Sequence, residues 1–307
     1  MKKIRWTIDN LDDLSGKIFV VTGANSGIGF EATKAFAMKN AKVIMGCRNL
    51  KRAEQAKAKI LNSYKKADLE IILLDLMDFA SVNAFANAIL NKYPKLDVLL
   101  NNAGIMTVPY GATVNGLEKQ IGVNHFGHFY LTMKLLPLLN KTPNSRIVNI
   151  ASIAHRFGNL KVDTFMYDKN KKYHKSVAYA QSKLANLLFT YKLAALLKEQ
   201  GSNITVVAAH PGITKTNLGR HISTFNLKAF AKMITSFNQE TAQGALPGIR
   251  ACTDKLALSN NYYGPDGIFA MRGYPKLEKS NKKSHSAKLQ DVLWDYSVKI
   301  TGLDINL

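Results

Sequence analysis

The chain has 307 residues, of which 47% are hydrophobic and 21% charged, the balance of an ordinary globular protein with a substantial core. Only two cysteines occur, Cys47 and Cys252, which excludes a disulfide framework or a cysteine-rich zinc site and points to a reducing compartment. The 42 basic and 21 acidic residues give a formal charge of +21, but the lysines of 51–66, 161–175 and 276–288 are dispersed among Ala, Asn and Ser and no nucleic-acid motif accompanies them. A solvated basic surface is expected, without a specific nucleic-acid partner; peripheral contact with anionic membrane is compatible with the charge.

Residues 1–16 are polar and read as a lead-in of about 14 residues. Their basic side chains have no apolar stretch behind them, so no secretory signal is expected, and no run in the chain approaches the roughly 18 apolar residues of a membrane span. A soluble, cytoplasmic protein follows as the expectation.

The continuously apolar run 17–22 predicts a strand buried on both faces of a parallel sheet. It leads directly into Gly23-Ala-Asn-Ser-Gly27-Ile-Gly29 and then into helical composition over 30–40, with Asn40 suited to a left-handed terminus. A strand, a glycine turn and a helix N-terminus gather backbone N–H groups around one point, and a pyrophosphate suits that geometry. The residues expected to meet it are Gly23, Asn25, Ser26, Gly27, Ile28 and Gly29. A plain strand-to-helix turn is the alternative.

The alternation then continues. Strands are predicted over 41–46, 69–75, 96–101, 146–152 and 203–210, and helices over 51–66, 81–93, 116–139 and 179–199. No repeat or linker interrupts them. The fold class is therefore α/β with a doubly wound parallel sheet, a Rossmann fold, in a single domain over 1–307. Two segments break the rhythm: the polar and aromatic insert 154–176, and 213–243, which carries Phe225, Leu227, Phe230, Met233, Ile234 and Phe237. Both leave the carboxyl ends of strands, where open α/β sheets bind ligands, and both are candidate substrate walls or alternatively surface contacts.

In Tyr179-Ala-Gln-Ser-Lys183 a phenol and an ammonium are four residues apart in a helix-favouring stretch, hence on one face. A nearby cation lowers a tyrosine pKa from about 10, as a general acid for a carbonyl oxygen requires. Taken alone, the pair could equally sit at the rim of an amphipathic helix.

Together, Thr22-Gly23-Ala-Asn-Ser-Gly27-Ile-Gly29, Asn101-Asn-Ala-Gly104, Asn124, Ser152, Tyr179-Ala-Gln-Ser-Lys183 and Pro211-Gly212-Ile-Thr-Lys-Thr216 resemble the classical short-chain dehydrogenase/reductase family, in its order. Cys47-Arg48-Asn49, Asn124-His-Phe-Gly-His-Phe-Tyr, Ser152-Ile-Ala-His155 and a tail with Leu293-Trp294, Ser297 and Thr301-Gly302 are similar to its retinol-dehydrogenase-like group, which includes WW-domain oxidoreductases.

The resemblance implies Tyr179 as acid or base at the substrate oxygen, with Lys183 lowering its pKa and holding the nicotinamide ribose. It implies Ser152 as the donor to that oxygen and Asn124 as the support of a water relay. Asp75 and Leu76 would meet the adenine; Asn102, Ala103 and Gly104 would line the cofactor; Pro211, Gly212 and Thr216 would face the nicotinamide. Asn101 could brace the sheet or bind. Strand-end capping by Ser152 and backbone satisfaction by Asn124 are the structural alternatives. His125, His128 and His155 lack metal-ligand company, and no metal is expected.

Cofactor choice rests on one position. An acidic residue about 20 positions past the glycines suits the ribose hydroxyl of NAD, and an arginine suits a 2′-phosphate. Here Arg48 lies 19 positions past Gly29, with no Asp or Glu between Ala41 and Arg52. NADP(H) is favoured over NAD(H). The expected activity is hydride transfer between NADP(H) and an apolar alcohol or carbonyl compound; a non-catalytic nucleotide sensor or scaffold is the alternative. Homo-oligomers, common in the family, are compatible with the sequence.

Overall fold

The computed structural model describes residues 5–170, 172–214 and 239–304. In β1 (Ile18–Thr22) all five side chains are buried, because helices cover both faces of the sheet. Successive β1 residues point to opposite sides: Phe19 and Val21 join a core layer with Phe36, Ile60 and Ile249, while Val20 joins the opposite layer with Phe85, Leu135, Phe189 and Leu193.

The further strands are β2 (Lys42–Cys47), β3 (Asp68–Leu73), β4 (Val98–Asn101), β5 (Arg146–Ile150), β6 (Thr205–Ala209), β7 (Tyr262–Pro265) and β8 (Pro275–Leu277). They form one sheet in the order β3-β2-β1-β4-β5-β6-β7-β8. Every pair is parallel except β7 and β8, which pair antiparallel at one edge. The chain reverses its direction of winding between β1 and β4. The crevice beyond their carboxyl ends is where ligands bind in such sheets.

The helices are α1 (Gly27–Met38), α2 (Leu50–Ser63), α3 (Phe79–Lys92), the single turn α4 (Lys119–Ile121), α5 (Gly127–Lys141), α6 (Lys175–Glu199), α7 (Thr241–Thr253) and α8 (Ala287–Thr301). As expected, Asn40 ends the first helical segment in the left-handed conformation, φ 68°.

Several elements depart from the reading of the sequence. The helix expected over 116–139 starts with α4, capped by the Glu118 carboxylate on the Gln120 and Ile121 amides, and passes through a π-helical turn, Gly122–Phe126, before α5. The lead-in is pinned, since Leu11 is buried and Trp6 packs against the core. The 154–176 insert contributes to packing: Phe165 is fully buried against Phe126, and the Tyr173 hydroxyl donates to Glu118 at 2.9 Å. The elements α7, β7, β8 and α8 have no counterpart in that reading. Phe225, Leu227, Phe230, Met233, Ile234 and Phe237 lie outside the described residues, as does most of 213–243.

α6 is buried along most of its length because it lies between the sheet and α8, where Trp294 meets Phe129 edge-on at 5.4 Å and lies along Phe189. No helix of the described residues is long and apolar enough to cross a membrane. Both cysteines are buried and free.

Candidate active site

The turn after β1 needs its glycines. Gly23 and Gly27 have φ of 68° and 56°, the left-handed region that glycine tolerates without strain. Gly29 is buried, and a Cβ there would stand 2.4 Å from the Gly23 carbonyl oxygen and 2.5 Å from Asn102 Nδ2. The Ser26 side chain makes no capping bond, so the amides of the first turn of α1 are left open at the sheet's crevice. Ile28 packs partly against the core, and the Ala24 and Asn25 amides face the Cys47 sulfur, whose thiol burial pushes up to about 12.

Thr22 joins this turn to the loop after β4. Its hydroxyl oxygen accepts from the Asn102 and Ala103 amides, each at 2.9 Å, and lies 2.9 Å from His128 Nε2. His128 Nδ1 is 3.2 Å from the Asn124 carbonyl. With the proton on Nδ1, His128 donates to Asn124 and accepts from Thr22, and every group is satisfied. Burial holds His128 down at about 3, hence neutral. The Asn102 side chain is occupied too, donating to the Thr22 carbonyl at 2.8 Å.

Asn101 braces the sheet. Its amide donates to Thr132 and to Asn149 Oδ1, both at 2.9 Å, and Asn149 donates onward to Thr190. Its own Oδ1 has no partner.

The π-helical turn presents Asn124 toward the same crevice. Asn124 Oδ1 accepts the Ile105 amide at 2.8 Å, while Nδ2 donates to the Ile105 carbonyl and to Ser182 Oγ, each at 2.9 Å. This is the backbone-satisfying role that the sequence left open. It coexists with proximity to Lys183: a Cβ on Gly104 would be 3.1 Å from Asn124 Oδ1 and 3.6 Å from Lys183 Nζ.

Ser152 follows β5 and accepts the Ala154 amide at 3.2 Å, capping the 3-10 helix Ile153–Phe157. The serine is therefore a strand-end cap whose hydroxyl also faces Tyr179. Tyr179 and Lys183 share one face of α6, both buried. Lys183 Nζ donates to the Ile150 carbonyl at 2.9 Å, and Asn186 Nδ2 donates to the same oxygen at 2.9 Å. Burial lowers Lys183 to about 8. Lys183 was expected to lower the Tyr179 phenol, but the structure gives the reverse balance. Burial raises Tyr179 above its ordinary 10, and the group that pulls it back is the Ser152 hydroxyl. The reason is geometric, since the ammonium lies 5.9 Å from the phenol ring's centroid and its hydrogen bond goes to Ile150.

At the far end of the crevice, Arg48 is exposed just past β2, with Nη1 3.4 Å from Met77 Sδ. Asp75 is half-buried and accepts the Met77 amide at 3.0 Å; Leu76 is buried beside it, and a Cβ on Gly127 would come within 2.6 Å of its carbonyl. Beyond β6, Gly212 has φ 68°, and a Cβ there would meet the Met271 carbonyl at 2.3 Å. Gln239 Nε2 donates to the Pro211 carbonyl at 2.6 Å. Thr216 lies outside the described residues. Among the described residues no group of three His, Cys, Asp or Glu side chains is placed to hold a metal.

A sheet wound about the β1–β4 crossing with a glycine turn opening α1 is a dinucleotide-binding architecture, and Asn124 of the π-helical turn, Ser152 after β5, and Tyr179 and Lys183 of α6 gather beside its crevice. The short chain dehydrogenase family model matches residues 17–226, and the chain belongs to that family. Within it, the chain falls with the retinol-dehydrogenase-like group. It is 38% identical to human retinol dehydrogenase 14 over 94% of this chain and 88% of the relative. It is 36% identical to mouse retinol dehydrogenase 12 over the same shares. Among solved structures it is similar to an uncharacterised protein of Mycobacterium paratuberculosis, with TM-score 0.81 and 33% identity over 99% of this chain and all of that one. A short chain dehydrogenase of Shigella flexneri complexed with NADP gives TM-score 0.63 at 25% identity, covering 82% and 97%.

Proposed function

We propose that the protein is an NADP(H)-dependent oxidoreductase that interconverts an apolar alcohol and its carbonyl partner, with Tyr179 as the proton donor and acceptor. The observation that carries the reading is the convergence of buried Lys183 and Asn124 at half-buried Gly104, with Tyr179 and Ser152 facing each other on the same helix–strand junction. A buried amine is costly to the fold, and the proton relay it would serve has no use in a sensor without turnover.

The crevice suits a dinucleotide. The left-handed glycine turn at Gly23 and Gly27, the open amides of α1 and the exposed Arg48 fit a pyrophosphate and a 2′-phosphate at its two ends. The bound nicotinamide supplies or takes the hydride. Burial keeps the Tyr179 phenol protonated at neutral pH, ready to give its proton to a carbonyl oxygen as charge develops there. The Ser152 hydroxyl holds that oxygen by a hydrogen bond. Lys183, mostly charged below about 8, would hold the ribose and return the phenol's proton through water supported at Asn124. The apolar substrate class rests on the side chains of 225–237 and on the relatives named retinol dehydrogenases. The two free cysteines support work in the reducing cytoplasm.

The test is NADPH oxidation with a panel of aldehydes and ketones that includes retinal, with the native chain and with Tyr179→Phe. Turnover is expected to fall by about 10²–10⁴ in the variant while NADPH binding persists. Turnover that survives the substitution removes Tyr179 as the acid.

A further inference from the structure

Behind Ser152 lies a buried polar cluster that the proposed chemistry does not use. His155 Nδ1 donates to the Ser152 carbonyl at 2.7 Å, and its Nε2 accepts the Asn281 amide at 3.2 Å. Burial holds His155 down at about 4, so the ring is neutral at physiological pH and this pattern is fixed. Tyr262 stands edge-on to the same ring with centroids 5.6 Å apart. On the other side, His210 Nε2 donates to Glu278 Oε2 at 2.6 Å, and His210 Nδ1 accepts the Gly212 amide at 3.2 Å. The second Glu278 oxygen accepts from Arg156 Nη2 at 2.5 Å.

One carboxylate therefore touches both halves of the site. Arg156 belongs to the 3-10 helix that Ser152 caps; His210 immediately precedes the Pro211-Gly212 turn. Glu278 is anchored by its own amide, which donates to the Tyr262 carbonyl at 2.7 Å. The chain after it is held as well: Ser280 bonds the Tyr191 hydroxyl of α6 at 2.8 Å, and Asn281 Nδ2 donates to the His155 carbonyl at 2.9 Å. The space is committed to this pair, since a Cβ on Gly264 would come within 2.2 Å of His210 Nε2 and 2.3 Å of Glu278 Oε2. Burial works to raise the Glu278 carboxyl, but the hydrogen bond from His210 and the positive charges of Arg156 and Lys276 outweigh it and hold the group ionised.

We propose that Glu278 is a positioning residue that sets the spacing between the serine that holds the substrate oxygen and the glycine turn that faces the cofactor. The proposal rests on the reading of the site given above. Glu278 directly follows β8, the edge strand of the sheet.

The test separates the two arms of the carboxylate. In Glu278→Gln the amide oxygen still accepts from His210 while the ionic link to Arg156 is lost. NADPH affinity, read by fluorescence titration, stays within about twofold, and kcat for carbonyl reduction falls about tenfold, the scale of one charge-assisted hydrogen bond. Arg156→Gln, at a side chain on the surface, gives the same split. Glu278→Ala loses both arms, so its NADPH Kd also rises about tenfold. Glu278→Asp, which keeps the charge, recovers part of kcat. The binding arm needs no turnover: if the native chain reduces no carbonyl, the proposed reaction fails, while a raised NADPH Kd in Glu278→Ala alone still supports the positioning role. Unchanged kcat and Kd in Glu278→Gln and Arg156→Gln, or equal losses in both parameters, overturn it.

Discussion

Lys183 and Ile150 meet by a single hydrogen bond of 2.9 Å from ammonium to strand-end carbonyl, inside a helix–sheet interface where the amine is almost wholly buried. The folded pKa of about 8 lies below the ordinary lysine value of 10.5. The folded chain thus binds fewer protons than the unfolded one between those values, so stability rises with pH in that window. Below about 8 the buried charge is a full liability.

It follows that Lys183→Met is more stable than the native chain at pH 7, by up to about 3 kcal/mol at roughly 1.4 kcal/mol per tenfold in proton affinity. Its advantage shrinks between pH 8 and 10.5. Thermal or urea unfolding at pH 7 and pH 9.5 checks this, and a destabilised variant at pH 7 contradicts it. Carbonyl reduction by the native chain, read as kcat/KM, declines as pH passes about 8 and the ammonium neutralises.

Arg48 is the charge that a 2′-phosphate would find past β2, and its described partner there is the Met77 sulfur, not a carboxylate. Arg48→Asp should weaken NADPH by about 10–100-fold, the scale of a lost charge-assisted pair plus repulsion, and leave NADH within a few-fold. Titration of both cofactors decides it. Equal effects on the two would sink the assignment.

Gly29 has no room for a side chain, with the Gly23 carbonyl 2.4 Å from where a Cβ would sit. Gly29→Ala must push the turn away from α1, at about 1–3 kcal/mol of stability, and cofactor affinity falls with it. A variant that keeps both the melting temperature and NADPH affinity of the native chain refutes a close-packed cradle.

The half of the fold that alternates regularly was legible because buried parallel strands are continuous apolar runs and their helices carry spaced apolar faces. The glycine turn and the Tyr179–Lys183 pair could be placed for the same reason. The C-terminal third was not legible. β7 reads Tyr-Tyr-Gly-Pro and β8 is three residues long, so both look like turns. α7 contains Gly244, Pro247 and Gly248, and packing overrides those breakers. The π-helical turn is set by tertiary partners of Asn124, not by local preference. Charge balance inside the site was hidden too, because Tyr179 and Lys183 are buried where α6 packs on the end of β5, beside Ile150 and Ser152. Glu278 carried no signal beyond being one acidic residue among many lysines.

The Thr22 hydroxyl, with two amides and an imidazole on one oxygen, leaves the middle of the crevice over-determined. Redesign of cofactor preference is therefore a task for the rim after β2, where Arg48 is exposed and lightly held. Substitutions nearer the crossing of the sheet would disturb the glycine turn, the Asn102 loop and Asn124 together.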